Sequence, residues 1–194
     1  SKGNVVAPES VLKEYGSEIL RLWVALSDYQ GDLKISKNIL KQIAEQYRKI
    51  RNSLRFILAN TNDLAQIDLS ALGEIDKWIL NEAQKTLVEA NALFSEYEFS
   101  KAFSVVMSFM ANELSGIYFD LTKDILYCDG KDSKARVGIQ SALCIIAQKL
   151  FAFFAPVLTY TINEAIECAN PALKGDLQSV FDCKYDDAFE SYAL

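Results

Sequence analysis

The chain has 194 residues, 51% of them hydrophobic, and a formal net charge of −6 at pH 7. That is enough apolar material for one substantial core, and the acidic balance excludes indiscriminate binding of nucleic acid or anionic membrane by the whole surface. Histidine is absent and the four cysteines (Cys128, Cys144, Cys168, Cys183) form no Cys-x-x-Cys pair, which excludes histidine-based catalysis and argues against a zinc site or a disulfide framework.

Eight glycines and three prolines are few for this length, so helices are expected rather than a strand-rich sandwich. Pro8, at a first helical position, and Gly16, after Tyr15, frame a short helix. Ser17 is read as the cap of a second, with Ile19, Leu20, Trp23 and Val24 on its apolar face. After a polar turn over residues 27–32, Ser36 begins a long helix reaching about Asn60. Further long patterns run from about Glu74 to Glu96 and from Ser100 to the region of Tyr127. Polar residues 129–133 then precede a helix over Lys134 to Phe154.

Residues 142–162 are apolar enough to resemble a membrane span. Gln148 and Lys149 interrupt the run and no basic cluster flanks it, so a buried core helix is expected, followed by one that Pro156 initiates and that ends near Asn170. Beyond that the pattern weakens into an acidic tail. The chain thus divides into a connector (residues 1–33), an all-α bundle of four to five long helices (34–170) and a weakly structured acidic extension (171–194). No internal repeat and no glycine-rich phosphate loop is present, so no nucleotide-binding domain is expected.

Charge is unevenly spread. Between Lys34 and Arg55 seven cations face one acid, Glu45, a local +6 that leaves −12 for the rest. At about 100° per residue Lys37, Lys41, Arg48, Arg51 and Arg55 share one helix face, a stripe roughly 27 Å long. Such a face is either a solvated surface or a phosphate-binding one. The near absence of acid leaves mutual repulsion uncompensated, and arginine dominates the C-terminal end, where its planar fork suits phosphate or base edges. Asn52 adds an amide able to donate and accept. These details favour nucleic-acid contact.

Phe103, Phe109, Phe119, Phe151, Phe153 and Phe154 sit in helical patterns and are read as core. Tyr29, in a polar turn, is a slightly better candidate for stacking on a base, with packing still the favoured reading. Asp120 and Asp124 with Lys123 are read as a solvated ion-pair face or an inter-helix tie, and no catalytic residue is assigned.

Several blocks resemble the isoleucyl branch of the class I aminoacyl-tRNA synthetases. Ser1-Lys2-Gly3-Asn4 resembles the end of that class's K-M-S-K-S-x-G-N signature, and residues 16–24 (GSEILRLWV) resemble the G-A-D-x-L-R-x-W-V segment that follows. Ser27-Asp28-Tyr29 and residues 47–60 (YRKIRNSLRFILAN) are similar to isoleucyl blocks, with Ser53 where threonine is usual. Ile75-Asp76-Lys77-Trp78, the run from Tyr118 to Tyr127, and Phe154-Ala155-Pro156-Val157-Leu158 with Glu164 continue the match in family order. Val137 and Ala165 depart from the family pattern.

The resemblance implies an α-helical anticodon-binding domain whose first residues join it to an ATP-binding loop, a cut edge of a longer enzyme, with the C-terminal extension truncated. It implies tRNA(Ile) and the enzyme's own catalytic domain as partners, and ATP with magnesium for that enzyme. For this stretch it implies no cofactor, metal or catalytic residue, and a monomeric, cytoplasmic, non-membrane protein. Lys37, Lys41, Arg48, Arg51, Asn52 and Arg55 are the expected tRNA contacts, with Arg51, Asn52 and Arg55 nearest the anticodon. In the related methionyl enzymes the equivalent helix supplies Asn and Arg. Ser1 is the expected ATP-loop remnant. The alternatives are a bundle that braces the catalytic domain and a free-standing protein-interaction bundle.

Overall fold

Gly16 takes φ 85° and turns the chain within one residue from α1 (Pro8–Tyr15) into α2 (Ser17–Leu26). Ser17 is therefore the first helical residue rather than a cap, and the corner rests on glycine's tolerance of positive φ. This is a computed structural model describing residues 6–184, so the expectation for Ser1 lies outside the described residues. Of the apolar face expected on α2, Ile19 is buried together with Leu22, whereas Val24 is 59% exposed.

Ser36 accepts the Ile39 amide at 3.2 Å and opens α3 (Lys37–Thr61). Leu40, Ile43, Ile50, Leu54 and Ile57 line its buried face at helical spacing. A 3₁₀ turn (Leu69–Ala71) leads to α4 (Glu74–Ser95), where Asp76 reaches back to the Gly73 amide at 2.8 Å. Tyr97, at φ 61°, reverses the chain into α5 (Phe99–Phe109). One unbroken helix was the expectation from Ser100 to Tyr127. The structure instead widens into a π-helix over Met110–Phe119 before α6 (Asp120–Cys128). Within it Gly116 sits close to the preceding turn, where an added Cβ would lie 3.0 Å from the Ala111 carbonyl oxygen five residues back.

Ser133 caps α7 (Lys134–Phe154), which is buried along most of its length. It is long and apolar enough to cross a membrane, yet 78% of its apolar window is buried inside the fold, as in a core helix. All six phenylalanines read as core are buried, and Phe103, Phe153 and Phe154 meet one another at centroid distances of 5.0 to 6.0 Å. Pro156 lies in a turn, and α8 (Thr159–Cys168) begins three residues later. The difference has a cause: the Pro156 and Val157 carbonyls accept hydrogen bonds from Arg21 of α2 instead of continuing a helix. Past residue 170 the chain keeps packing, with Leu173 of α9 (Pro171–Lys174) and Val180 both buried. No strand occurs among the described residues.

Two features position α7. Gly138 abuts the 3₁₀ turn so closely that a Cβ would stand 2.3 Å from the Ala71 carbonyl oxygen. Arg136 donates two hydrogen bonds to Asp63, at 3.0 and 3.1 Å, just beyond the C-terminus of α3. That bidentate pairing holds the Asp63 carboxyl below the usual carboxylate range. Asp76 shows the reverse, since burial pushes its pKa up although Tyr118 donates to it at 2.5 Å.

Gly138→Ala should destabilise the fold by about 3 kcal/mol, because the clash is with backbone; an unchanged urea midpoint would contradict this. The two acids act oppositely on pH. The folded pKa of Asp63 is lowered, so its contribution is present above the unfolded carboxylate pKa and is lost as pH falls through the folded value. The folded pKa of Asp76 is raised, so its contribution is present at low pH and is lost as pH rises through that value. Urea titrations over roughly pH 3 to 7 should show Asp63→Asn flattening the acid-side loss of stability and costing about 2 kcal/mol at neutral pH. An acid limb as steep as that of the unsubstituted chain would remove the pair as its cause.

Candidate nucleic-acid interface

α3 presents Lys37, Lys41, Arg48, Arg51, Asn52 and Arg55 to solvent, so all six expected contact residues are exposed. They are not equivalent. Arg48 pairs with Glu45 one turn away, with both side chains more than 60% exposed, so this bond adds little stability and yields readily to another anion. Arg51 reaches Glu164 of α8 at 3.3 Å. The stripe is thus partly compensated by an acid far away in sequence, which its local charge did not reveal.

Two hollows flank this helix and divide the expected residues between them. One lies against α8, where Arg51 and Arg55 share a cleft with Thr161, Glu164 and Cys168. The other lies against the π-helix, where Lys49 and Asn52 border a groove walled by Phe56, Met110 and Phe119. Asn52 is therefore set apart from the two arginines it was expected to join. Lys37 borders a hollow beside α1, and Lys34 one beside Asp28 and Asp32, whereas Lys41 simply faces solvent.

α8 is held in place from two directions. Glu18 of α2 accepts the Tyr160 and Thr161 amides at 2.8 and 3.1 Å, an anion at a helix N-terminus where the dipole favours it. The Thr161 hydroxyl bonds both Glu18 and the Tyr47 hydroxyl of α3, the latter at 2.8 Å. These ties fix where Glu164 meets Arg51. In sequence terms Glu18 and Arg21 were motif residues without a role, and only the folded chain gives them one.

The remaining candidates fall into place. Asp120 and Lys123 form an exposed pair at 2.6 Å that raises the lysine pKa, the ion-pair face expected for them. Tyr29 donates to the Tyr97 carbonyl at 3.2 Å and borders an apolar groove with Val24, Phe94, Phe99 and Phe153. That groove lacks cations and is unsuited to phosphate. Cys144 is buried within α7 and burial pushes its thiol up to about 12, which makes it unreactive. Among the described residues no three His, Cys, Asp or Glu side chains gather as metal ligands.

Comparison with known proteins gives this geometry a context. Residues 76–193 match the family model for the anticodon-binding domain of tRNA ligase, and residues 1–36 match that for class I tRNA synthetases of the I, L, M and V types. All of α3, with its cations, lies in the span between the two matches. The isoleucine–tRNA ligase of Wolinella succinogenes is 62% identical over 187 residues, covering 96% of this chain and 20% of that protein. Those of a Sulfurovum species and of Campylobacter lari are 55% and 56% identical, covering 100% and 98% of the chain and 21% of each protein. The chain therefore spans about a fifth of the length of these relatives. A LeuRS chain from a ternary LeuRS–tRNA–LeuAMS complex of Agrobacterium radiobacter K84 superposes with a TM-score of 0.62 at 17% identity, covering 95% of this chain and 21% of that one, which shows a shared fold. With an exposed cationic helix on an all-α bundle and these matches along its whole length, the chain belongs to the anticodon-binding domain family of the class I tRNA ligases, on the isoleucine–tRNA ligase branch.

Proposed function

We propose that this segment binds tRNA(Ile) at its anticodon stem and loop and positions it for aminoacylation. The ATP- and magnesium-dependent chemistry is carried out by a catalytic domain of the longer enzyme, in the cytoplasm and as a monomer, while this segment performs no bond chemistry itself. The observation that carries the reading is the exposed cationic stripe of α3, from Lys37 to Arg55. Its Arg48 and Arg51 are held by exposed acids that an RNA phosphate can replace. Lys37, Lys41 and Arg48 follow the phosphate backbone, and Arg51, Asn52 and Arg55 lie nearest the anticodon loop.

A second reading has its own observation. The apolar groove between α2 and α5 lies where the span matched by the class I synthetase family meets the helices of the bundle. A bundle that braces the catalytic domain would use such a surface.

Arg51→Ala with Arg55→Ala in the full-length ligase should weaken tRNA(Ile) binding by about tenfold per arginine and lower the slope of log affinity against log salt by about 2. Unchanged affinity and charging kinetics in the double variant would remove the reading. Crosslinking of tRNA(Ile) to that enzyme separates the alternatives, because an α3 free of adducts would favour the brace.

A further inference from the structure

The cleft between α3 and α8 holds an acid among the cations that would bind RNA. Arg51 and Arg55 stand on its α3 side, and Glu164 of α8 stands opposite, 3.3 Å from Arg51. The contact uses a single guanidinium nitrogen and is longer than the roughly 2.7–2.9 Å of a strong charge-assisted bond. The two side chains are 45% and 62% exposed, so the pair adds little to stability. An acid that hardly stabilises the fold and opposes a polyanion calls for another account.

Glu164 differs from Glu45, the other acid on the stripe. Glu45 lies on α3 itself, one turn from Arg48, and swings freely in solvent. Glu164 belongs to a separate helix whose place is set: Glu18 accepts the Tyr160 and Thr161 amides, and the Thr161 hydroxyl bonds the Tyr47 hydroxyl of α3 at 2.8 Å. Rotating its side chain takes the carboxylate off Arg51 but not out of the cleft wall, within a Debye length of about 8 Å at physiological salt. Leu54 and Ala165, both buried, line the same cleft and strengthen the local field by excluding water. The cleft measures about 480 Å³, so a phosphodiester fits beside the carboxylate and not only in its place.

We propose that this cleft takes one backbone phosphodiester of the bound RNA on Arg51 and Arg55, and that Glu164 is a built-in competitor that speeds the RNA's release. The proposal rests on the tRNA-binding reading above and adds to it a residue that opposes binding. In the free chain Glu164 holds Arg51 by one long contact. An arriving phosphate offers two oxygens to the planar fork, so the exchange is favourable. Before the exchange the acid is covered by its arginine and is nearly invisible at long range. Afterwards it is uncovered beside the phosphate and repels it, so the effect falls on dissociation more than on association. A ligase must let its charged tRNA go at every turnover, and product release limits many enzymes. Phosphates carry no sequence information, so Glu164 acts alike on tRNA(Ile) and on unrelated RNA.

The test uses the full-length ligase with tRNA(Ile) and, separately, an unrelated tRNA. Glu164→Gln keeps the size and hydrogen bonding of the side chain and removes its charge. It should tighten binding of both RNAs by about fivefold, mainly through slower dissociation, with the gain fading at about 0.5 M salt. Glu167→Gln makes the same charge change elsewhere on α8, where Glu167 bonds Asn163, and should alter affinity little. With Arg51→Ala and Arg55→Ala already in place, the gain from Glu164→Gln should vanish. Cys168 is exposed in the cleft, so bound tRNA should slow its alkylation by iodoacetamide, followed by mass spectrometry. Four results overturn the competitor while leaving the tRNA-binding reading intact: unchanged or weaker binding by Glu164→Gln, an equal gain from Glu167→Gln, a gain that survives loss of both arginines, or a Cys168 that alkylates as fast with tRNA bound. If the double arginine variant binds and charges tRNA(Ile) like the parent, both fall.

Discussion

α7 leaves solvent along most of its length, and a helix that does so must have its polar side chains matched by its neighbours. Here those matches order the fold. Arg136 takes Asp63 and the Leu126 carbonyl, and Gln140 takes the Asn60 carbonyl and Asp63. Ser141 accepts the Asp68 amide, and Gln148 donates to the Leu173 carbonyl. In each case the partner lies at the end of another element, so the polar groups of one buried helix set where its neighbours stop. The last carbonyls of α3, unsatisfied within the helix itself, are served by Gln140 and by Asn170, which donates to Thr61 and Leu64.

The consequence for the interface is that one long helix is fixed at its middle and at its C-terminus. The C-terminus of α3 is held by α7 and Asn170, and its middle is tied to α8 through Tyr47 and Thr161. α8 is in turn fixed on α2 by Glu18, within the span that matches the class I synthetase family. The cationic face is therefore presented on a scaffold whose rotation about its own axis is set, which a stripe needs if its two sides are to meet different parts of one ligand.

Much of this was legible in the residues. The spacing of Leu40, Ile43, Ile50, Leu54 and Ile57 marks the buried face of α3, and Ser36 marks its start, because an amphipathic period and a cap are local signals. The exposure of the cations followed from the same geometry. Other features left no local trace. Residues 110–119 carry an ordinary helical pattern, and nothing in their local spacing marks the π register they adopt. Glu164 was legible as a motif residue but not as the partner of Arg51, which lies 113 positions away.

The sequence by itself determined the helical class, the burial of the apolar faces, the branch of the family and the basic face of α3, since each depends on periodicity, composition or block order along the chain. Tertiary structure decided how that face is divided. Whether two neighbours on a helix look into one hollow or two depends on which elements pack on either side, and α8 and the π-helix reach α3 only through contacts of long sequence separation. Arg51 and Asn52 are adjacent in the chain, and packing sends them to opposite grooves.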